Sequence, residues 1–389
     1  MAVLPDNHAP TELSVYIHWP FCASKCPYCD FNSHVTDVID HARWRRGLLA
    51  ELEHFVGETK GRAVTSVFFG GGTPSLMEPE TAAALIAAVK SNWHTADDLE
   101  VTLEANPSTA EAGLFQAFSD AGVNRMSLGV QSFRDESLKF LGRGHSAGEA
   151  INAITLASQI FPRISFDLIY GLPDQTPQQW REELTAALDL AGDHLSVYQL
   201  TIEPGTDFFR DGVPAAPEDT GASLYEITQT ILEGAGLAAY EISNHARAGF
   251  ECRHNLDIWR GGDYAGVGPG AHGRLSSSSG TDTLYQVHSP ERWLSKVEAD
   301  GHATAKRLTL GANERAEEIL MTGFRLREGV QAVQFERLTG MEISALTDES
   351  KLRQLIEGGF LEHTETGLCV TAAGRLCLNE VLRQLLVTS

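Results

Sequence analysis

Three cysteines lie close together near the start of the chain and could hold a metal centre. They are Cys22, Cys26 and Cys29, with three residues between the first pair and two between the second. Pro20 and Pro27 interrupt any continuous helix here, because proline lacks the N–H that a helix interior uses. The three thiols therefore lie on one loop, where they can converge on a single bound group.

Three kinds of site fit such a triplet. A disulfide would pair two of the cysteines and leave the third over. A structural zinc site needs four ligands, so His18 or His34 would have to supply the fourth. A [4Fe–4S] cluster ordinarily takes four thiolates. With three, one iron stays open and can chelate a small molecule through its amino and carboxylate groups.

The elements that must position this loop alternate between short apolar runs and amphipathic stretches of helical length. The apolar runs are rich in Val, Ile, Phe and Tyr, which is typical of buried parallel strands. The predicted strands are 14–19, 66–69, 99–105, 125–130, 164–170 and 195–201. The predicted helices are 38–56, 79–92, 111–121, 147–160, 177–191 and 223–234.

Six strand–helix units are fewer than the eight of a complete (β/α)8 barrel, which takes roughly 250 residues. We therefore expect an α/β fold built on a partial, TIM-like (β/α)6 barrel. Functional groups of such barrels gather at the C-terminal ends of the strands. The cysteine loop follows the first predicted strand and belongs to that end.

The cysteine pattern resembles the signature of a known superfamily. Cys-x3-Cys-x2-Cys with an aromatic residue, Tyr28, before the last cysteine is similar to the motif of radical S-adenosylmethionine proteins. In that superfamily the triplet holds a [4Fe–4S] cluster, and its open iron binds S-adenosylmethionine. One electron from the cluster then cleaves the cofactor to a 5′-deoxyadenosyl radical. The resemblance implies that Cys22, Cys26 and Cys29 are the cluster ligands.

Polar residues and glycines stand where the predicted strands end. Residues 70–74 read Gly-Gly-Gly-Thr-Pro, and glycines let a backbone approach a ligand without a Cβ clash. Glu104, Gln131 and Asp167 lie at or near the ends of later strands. Buried polar groups at a barrel mouth need partners, which a nucleoside would supply. A tight turn and a solvated carboxylate are the simpler explanations of the same residues.

Further motifs narrow the resemblance. They read Tyr-Ile-His-x-Pro-Phe-Cys from residue 16, Gly-Gly-Gly-Thr-Pro from 70, Gly-Val-Gln-Ser from 129, Gly-Arg-Gly-His from 142 and Asp-Leu-Ile-Tyr-Gly-Leu-Pro from 167. Together they resemble the oxygen-independent coproporphyrinogen III oxidase family over residues 13–275, and more weakly through the tail. The resemblance implies S-adenosylmethionine contacts at Tyr16, Tyr28, Gly71, Gly72, Thr73, Glu104, Gln131, Arg143 and Asp167.

That family has two main branches. The decarboxylating oxidase carries an extra cysteine two residues after the triplet and a longer N-terminal segment. Here that position is Phe31, and 21 residues precede Cys22. The chain is more similar to the haem chaperone branch, the HemW type. We therefore expect a protein that binds haem and delivers it to acceptor proteins, with the membrane as one place for delivery. Oxidative decarboxylation of coproporphyrinogen III is the alternative.

A histidine motif of that branch points to a haem ligand. The branch is marked by His-Asn-x-x-Tyr-Trp, and this chain has His254 and Trp259 at the two ends with Ile258 in place of the Tyr. The resemblance implies that His254 is an axial haem ligand, since neutral imidazole binds haem iron. His272 and Cys252 are rival ligands. A hydrogen-bonded loop histidine is the alternative for His254.

Composition and termini bound the remaining possibilities. Lys and Arg number 30 against 52 Asp and Glu, for a net charge of −22, so we expect no nucleic-acid partner, because phosphate contacts need basic side chains. Residues 1–10 lack the pattern of a secretory signal. No apolar run approaches the ~20 residues of a membrane span, so we expect a cytoplasmic protein.

The domain limits follow from changes of pattern. We expect the barrel over residues 1–235, a Gly- and His-rich extension over 236–305 and a C-terminal domain over 306–389. In the last, Asn313 is expected to cap a helix, and further helices flank a small hairpin. A mainly α, winged-helix-like domain fits this pattern. Its acidic side chains slightly outnumber its basic ones, which favours a packing or substrate-covering role over DNA binding.

Overall fold

Side chains of the first strand point alternately to the hydrophobic core and to the interior of the barrel. In the computed structural model, which describes residues 11–386, strand β1 spans Glu12–Trp19. Val15, Ile17 and Trp19 join the main hydrophobic core, whereas Tyr16 and His18 point to the other face. This is the period-2 pattern of a strand covered by helices on one side. Residues 1–10, where no secretory signal is expected, lie outside the described part.

Residues 12–234 form the strand–helix units of the barrel. The strands are β1, β2 (Phe21–Cys22), β3 (His34–Val35), β4 (Ala63–Gly71), β5 (His94–Ala105), β6 (Arg125–Gln131), β7 (Arg163–Tyr170) and β8 (His194–Gln199). The helices are α1 (His41–Glu58), α2 (Pro79–Asn92), α3 (Thr109–Ala112), α4 (Phe115–Asp120), α5 (Asp135–Phe140), α6 (Ala147–Ile160), α7 (Pro177–Leu188), α8 (Asp207–Arg210) and α9 (Glu218–Gly234).

The six predicted strands pair in chain order as one parallel array, β1-β4-β5-β6-β7-β8. Each of the five strands after β1 follows a helical crossover, as parallel neighbours require. The partial (β/α)6 barrel is therefore confirmed. One helix differs from prediction, because the stretch 111–121 forms the separate short helices α3 and α4. Gly113 lies at the break between them.

The extension after residue 235 continues this sheet. Its elements are β9 (Ala238–Ala239), β10 (Asn244–Ala246), α10 (Arg253–Trp259), β11 (Tyr264–Val267), β12 (His272–Ser277), β13 (Gly280–Gln286), α11 (Pro290–Asp300) and β14 (Thr304–Thr309). Strand β11 pairs parallel to β1, and β12, β13 and β14 follow it in antiparallel order. At the opposite edge, β10 pairs antiparallel with β8. The result is one twelve-stranded sheet.

The C-terminal residues form a smaller unit with its own core. Its elements are α12 (Ala312–Gly323), β15 (Val330–Gln331), α13 (Ala332–Thr339), α14 (Glu349–Glu357), β16 (Leu361–His363), β17 (Gly367–Val370), α15 (Ala372–Leu376) and α16 (Leu378–Leu385). The expected hairpin is β16–β17, to which β15 adds a third strand. The prediction that Asn313 caps the first helix is wrong. Gly311 is the cap, and its N–H donates to Glu314 Oε2 at 2.7 Å.

Between residues 11 and 386, no helix combines the length and the apolar character that a membrane span requires.

Candidate functional site

The loop after β1 presents the three cysteines to one cavity. All three side chains are half-buried free thiols, and the Cys29 N–H donates to the Cys26 carbonyl at 3.1 Å, which tightens the turn between them. Burial raises the pKa of the Cys22 and Cys29 thiols. Within the described residues, no group of three or more His, Cys, Asp or Glu is arranged around a single metal ion.

Each cysteine also meets a polar side chain. Thr73 Oγ1 donates to Cys22 Sγ at 3.4 Å, and Arg143 Nη1 donates to Cys26 Sγ at 3.2 Å. Ser33 Oγ lies 3.8 Å from Cys29 Sγ. Donors aimed at sulfur favour the thiolate, which is the form that ligates metal.

The glycine turn after β4 lies directly against the cysteine loop. Gly72 N–H and Thr73 N–H donate to the carbonyls of Trp19 and Phe21 at 2.7 and 2.8 Å. A Cβ on Gly72 would sit 2.7 Å from the Phe21 carbonyl oxygen, and Gly71 has a φ of 114°. Only glycine allows this approach, so the turn packs tightly against the cysteine loop, and its contact with a cofactor stays a prediction.

Arg143 reaches across the mouth of the barrel. Besides Cys26, its guanidinium donates to the Gly129 carbonyl at 2.8 Å and to Asn106 Oδ1. Its Nε is buried and faces no acceptor among the described residues. A buried donor without a partner is costly, so this atom fits a ligand that brings an acceptor. Asn106 directly follows β5, and Ser108 caps α3.

Two carboxyl groups lie inside the mouth. Burial raises the pKa of Glu104 to about 8, and repulsion from Asp167 adds to the effect. Burial also raises the pKa of Asp167 to about 6, although hydrogen bonds with Ser196 and Ser127 and the nearby Arg125 and Arg143 oppose the rise. Two buried acids whose pKa values are raised toward the neutral form suit hydroxyl partners.

Gln131 occupies its position at a conformational cost. Its φ of 73° is one of two positive values among described residues other than glycine, the second being at Asp174. Such backbone strain concentrates at functional sites. The residue ends β6 and its side chain lines the cavity.

The cavity at the mouth has a volume of about 520 Å³, which is in the range of small-molecule sites. It brings together most of the predicted site residues, namely Cys22, Cys26, Tyr28, Cys29, Gly71, Gly72, Thr73, Glu104, Gln131, Arg143 and Asp167. The sequence did not single out Ser127, His145 or Tyr198, which also line it. Their inward alternation on β6 and β8 and the motif at residue 142 are the signals that could have found them.

Tyr16 lies just beneath the mouth and is not part of the cavity wall. Its hydroxyl is 3.1 Å from His18 Nδ1, and its ring fills the space where a Cβ on Gly70 would be. The predicted cofactor contact of Tyr16 is therefore absent from the wall described here and stays a prediction.

His254 lies at the opposite end of the barrel from the cysteines. Helix α10 crosses the N-terminal halves of β4 and β5, where His254 Nδ1 is 3.0 Å from Ser66 Oγ and the His254 N–H donates to Glu100 at 3.2 Å. The imidazole stacks on Phe68 and is buried, which lowers its pKa to about 4. A porphyrin cannot reach this ring unless α10 moves, so haem ligation by His254 stays a prediction.

The donor set fits the cofactors that the resemblance implies. Three free thiols open onto the cavity. The glycine turn beside them has no room for a Cβ. Arg143 Nε is a buried donor without a partner among the described residues. Soft thiolates suit iron–sulfur clusters. The remaining volume and its buried carboxyl groups suit a zwitterionic nucleoside.

Comparison with known proteins adds an independent observation. A model of the Radical SAM superfamily matches residues 16–187, and a model of the HemN C-terminal domain matches residues 310–377. The chain is 40% identical to the mitochondrial radical S-adenosyl methionine domain-containing protein 1 of Bos taurus, over 98% of this chain and 89% of that protein.

Two further matches are to a heme chaperone and to a coproporphyrinogen III oxidase. The chain is 39% identical to the heme chaperone HemW of Haemophilus influenzae, over 95% of this chain and 97% of that protein. The solved structure of Escherichia coli coproporphyrinogen III oxidase HemN, a radical SAM enzyme, superposes with a TM-score of 0.81 at 22% identity and covers 97% of this chain and 90% of HemN. At that identity the second match establishes the fold alone.

Proposed function

This chain belongs to the radical SAM superfamily and, within it, to the family that includes the heme chaperones HemW, and from that premise we propose that it is a haem chaperone. It binds a [4Fe–4S] cluster, S-adenosylmethionine and haem, and it passes haem to acceptor proteins. The observation that carries the proposal is the similarity to HemW along almost the whole chain, joined to three free thiols on one cavity.

In this proposal Cys22, Cys26 and Cys29 hold the cluster and leave one iron open. When bound, the cluster supplies an electron and the open coordination site that receives S-adenosylmethionine. The glycine turn at residues 71–73 lines the cavity beside the cysteine loop and offers backbone groups to the amino end of that ligand. Arg143 directs its unpartnered Nε toward the carboxylate.

In the same proposal, the two buried acids bind the nucleoside end of S-adenosylmethionine. Glu104 and Asp167 form hydrogen bonds with ribose hydroxyls. Their raised pKa values favour the protonated carboxyl, which can donate as well as accept a hydrogen bond. Gln131 lines the same wall and orients the base. Half-buried Tyr28 closes the outer side of the cysteine loop by packing near Phe208.

Haem is cargo in this proposal, and the cytoplasm is where the protein collects it. The acceptor is a haem-requiring protein, with the membrane as one site of delivery. Position 31 supports a carrier over the coproporphyrinogen oxidase, because it holds an exposed phenylalanine where the oxidase has a cysteine.

One experiment tests carrier against enzyme. Cluster-reconstituted protein is incubated without oxygen, in parallel, with haem and with coproporphyrinogen III in the presence of S-adenosylmethionine. We expect a stoichiometric haem Soret band, transfer of haem to an apo-acceptor, and no vinyl product. Decarboxylated product formed with matching 5′-deoxyadenosine would establish the oxidase instead.

A second experiment tests the cluster ligands. The triple variant Cys22→Ala, Cys26→Ala, Cys29→Ala should lose all iron and the broad visible absorbance, with an unchanged far-ultraviolet circular dichroism spectrum, because the thiols lie on a loop outside the core. Cys377→Ala in the C-terminal unit is the matched control and should retain full iron content. Iron retained by the triple variant would place the cluster elsewhere.

A further inference from the structure

Strand β6 carries a bulge where it reaches the mouth of the barrel. Its register with β7 shifts between Leu128 and Gln131, so that β6 has two residues where β7 has one. The two are Gly129 and Val130, and the single residue opposite them is Asp167. A bulge bends its strand, and bulges next to active sites re-aim a side chain.

The backbone conformation of Gln131 directs its side chain into the cavity. Gln131 is paired with Leu168, whose side chain lies in the main hydrophobic core. Register partners in a regular sheet present their side chains to the same face, so an extended Gln131 would face that core. Its left-handed φ of 73° instead turns the side chain to the cavity. A residue other than glycine keeps such a conformation only where its surroundings hold it there.

Two side chains between α5 and α6 hydrogen-bond to the carbonyl groups of the bulge. Arg143 Nη2 donates to the Gly129 carbonyl at 2.8 Å. His145 Nε2 is 3.0 Å from the Val130 carbonyl, and because a carbonyl only accepts, Nε2 carries the proton and donates it. Burial, with a contribution from Arg143, lowers the pKa of His145 to about 4. The ring is therefore neutral near pH 7, with its proton on Nε2.

The hydrogen bond from His145 acts on the peptide unit that sets the φ of Gln131. The Val130 carbonyl and the Gln131 N–H belong to one rigid plane, so Gln131 cannot return to an extended φ unless that carbonyl rotates or the rest of β6 shifts. The His145 side chain is buried, and the next residue, Ser146, caps α6 with a capping box. The donor therefore stands on a fixed support.

We propose that His145 is a positioning residue for S-adenosylmethionine: it holds the Val130–Gln131 peptide and thereby keeps the Gln131 side chain directed at the cofactor. The proposal deepens the function proposed above and rests on it, because Gln131 is the side chain assigned there to orient the base. His145 needs no contact of its own with the cofactor in this role.

The test is a double-mutant cycle on the affinity for S-adenosylmethionine, measured by calorimetry without oxygen on full-length, cluster-reconstituted protein. We expect Gln131→Ala and His145→Leu each to weaken binding roughly tenfold, the usual effect of losing one hydrogen bond. The double variant should bind no more weakly than Gln131→Ala alone, because His145 acts through Gln131. His145→Gln should bind within about twofold of the wild type, since its Nε2 can still donate to the Val130 carbonyl.

His94→Leu is the matched control, because it makes the same change at an exposed histidine of β5 and should match the wild type. Iron content is measured in every protein, and affinity is taken per loaded cluster, so that incomplete reconstitution does not enter the comparison.

Several outcomes separate the inference from the function beneath it. Losses that multiply in the double variant would show that His145 acts on the cofactor without Gln131 and would overturn the inference. Unchanged affinity in His145→Leu, or in Gln131→Ala, would overturn it equally. Binding by His145→Gln as weak as that by His145→Leu would also contradict it. A reconstituted wild type that binds no S-adenosylmethionine would refute the proposed function itself.

Discussion

Glu104 and Asp167 show how burial prepares single side chains for a ligand. Both lie inside the barrel mouth, and burial raises the pKa of each, to about 8 and about 6. An acid held neutral in the folded chain but ionised in the unfolded chain lowers stability as pH rises. The protein therefore carries a cost at this site that a hydroxyl-rich ligand can relieve.

Glu104 should make the protein less stable as pH rises. Its folded pKa of about 8 exceeds the ordinary value of 4.5, so the folded state holds more protons between these values and stability falls as pH rises through that window. Glu104→Gln removes this slope, which is worth about 3 kcal/mol between pH 5.5 and 8.5 as an upper limit. Urea unfolding of cofactor-free protein at pH 5.5 and 8.5 measures it, and a difference between variant and wild type isolates Glu104 from the histidines.

Glu136→Gln, an exposed change on α5, is the control for that measurement and should follow the wild type at both pH values. Parallel pH profiles for Glu104→Gln and the wild type would mean that the folded carboxyl titrates normally.

At the scale of elements, the loops at the barrel mouth are held by contacts that cross long distances in sequence. Glu51 on α1 is fully buried and accepts N–H groups from Gly268, Trp293 and Ala303 at 2.7–2.9 Å. All three donors belong to the extension. One carboxylate therefore fastens the extension, including the loop at Pro269 that meets Asn32, to the first helix of the barrel.

Glu51→Gln should destabilise this junction. Burial raises the pKa of Glu51 to about 7 while the three donors oppose the rise, so at pH 8 the group accepts as a carboxylate. The amide turns an NH2 toward N–H donors and should cost about 3 kcal/mol, since an unsatisfied buried group costs roughly 1–3 kcal/mol. Urea unfolding at pH 8, followed by tryptophan fluorescence, reports the loss.

Glu53→Gln changes an exposed residue two positions along the same helix and should leave the midpoint of unfolding unchanged. Equal midpoints for Glu51→Gln and Glu53→Gln would show that the extension does not depend on this carboxylate.

At the scale of the whole molecule, the two largest of four hydrophobic clusters among the described residues divide the chain into two parts. The main core spans the barrel and extension, and a separate one lies within residues 316–385 of the C-terminal unit. The two parts meet where Arg315 donates to the Gly261 carbonyl and where Arg274 pairs with Glu318 at 2.8 Å. The cavity is lined only by residues 22–203 of the described chain, so the C-terminal unit packs near α10 and does not cover the mouth.

Because the barrel with its extension and the C-terminal unit have separate cores, we expect two unfolding steps. Phe335→Ala truncates a side chain that is 1% exposed in the smaller core, which typically costs 3–5 kcal/mol. Calorimetry should show the C-terminal unit melting earlier while the visible absorbance of a reconstituted cluster persists. Val333→Ala, at an 81% exposed position of the same helix, is the control. Simultaneous loss of cluster absorbance and heat absorption would instead reveal one cooperative unit.

Local rules were enough to predict much of this molecule. Short apolar runs predict the six barrel strands, and the spacing of Cys22, Cys26 and Cys29 predicts that the three thiols share one loop. Ser146 and Thr176 cap helices as their residue types favour. Such features depend on residues close together in sequence, so sequence alone determines them. The family resemblance, and not local rules, suggested most residues of the mouth, and parallel strands bring them together because they all end at the same edge.

Only the tertiary structure decided what depends on distant contacts. The sequence marks the extension only as Gly- and His-rich, yet β11–β14 continue the barrel sheet, because strand pairing is satisfied by partners far along the chain. His254 stands in a motif but folds to the far end of the barrel, whereas His34 and His288, 254 residues apart, become neighbours. Sequence spacing carries no information about such encounters, since they arise from packing across the whole sheet.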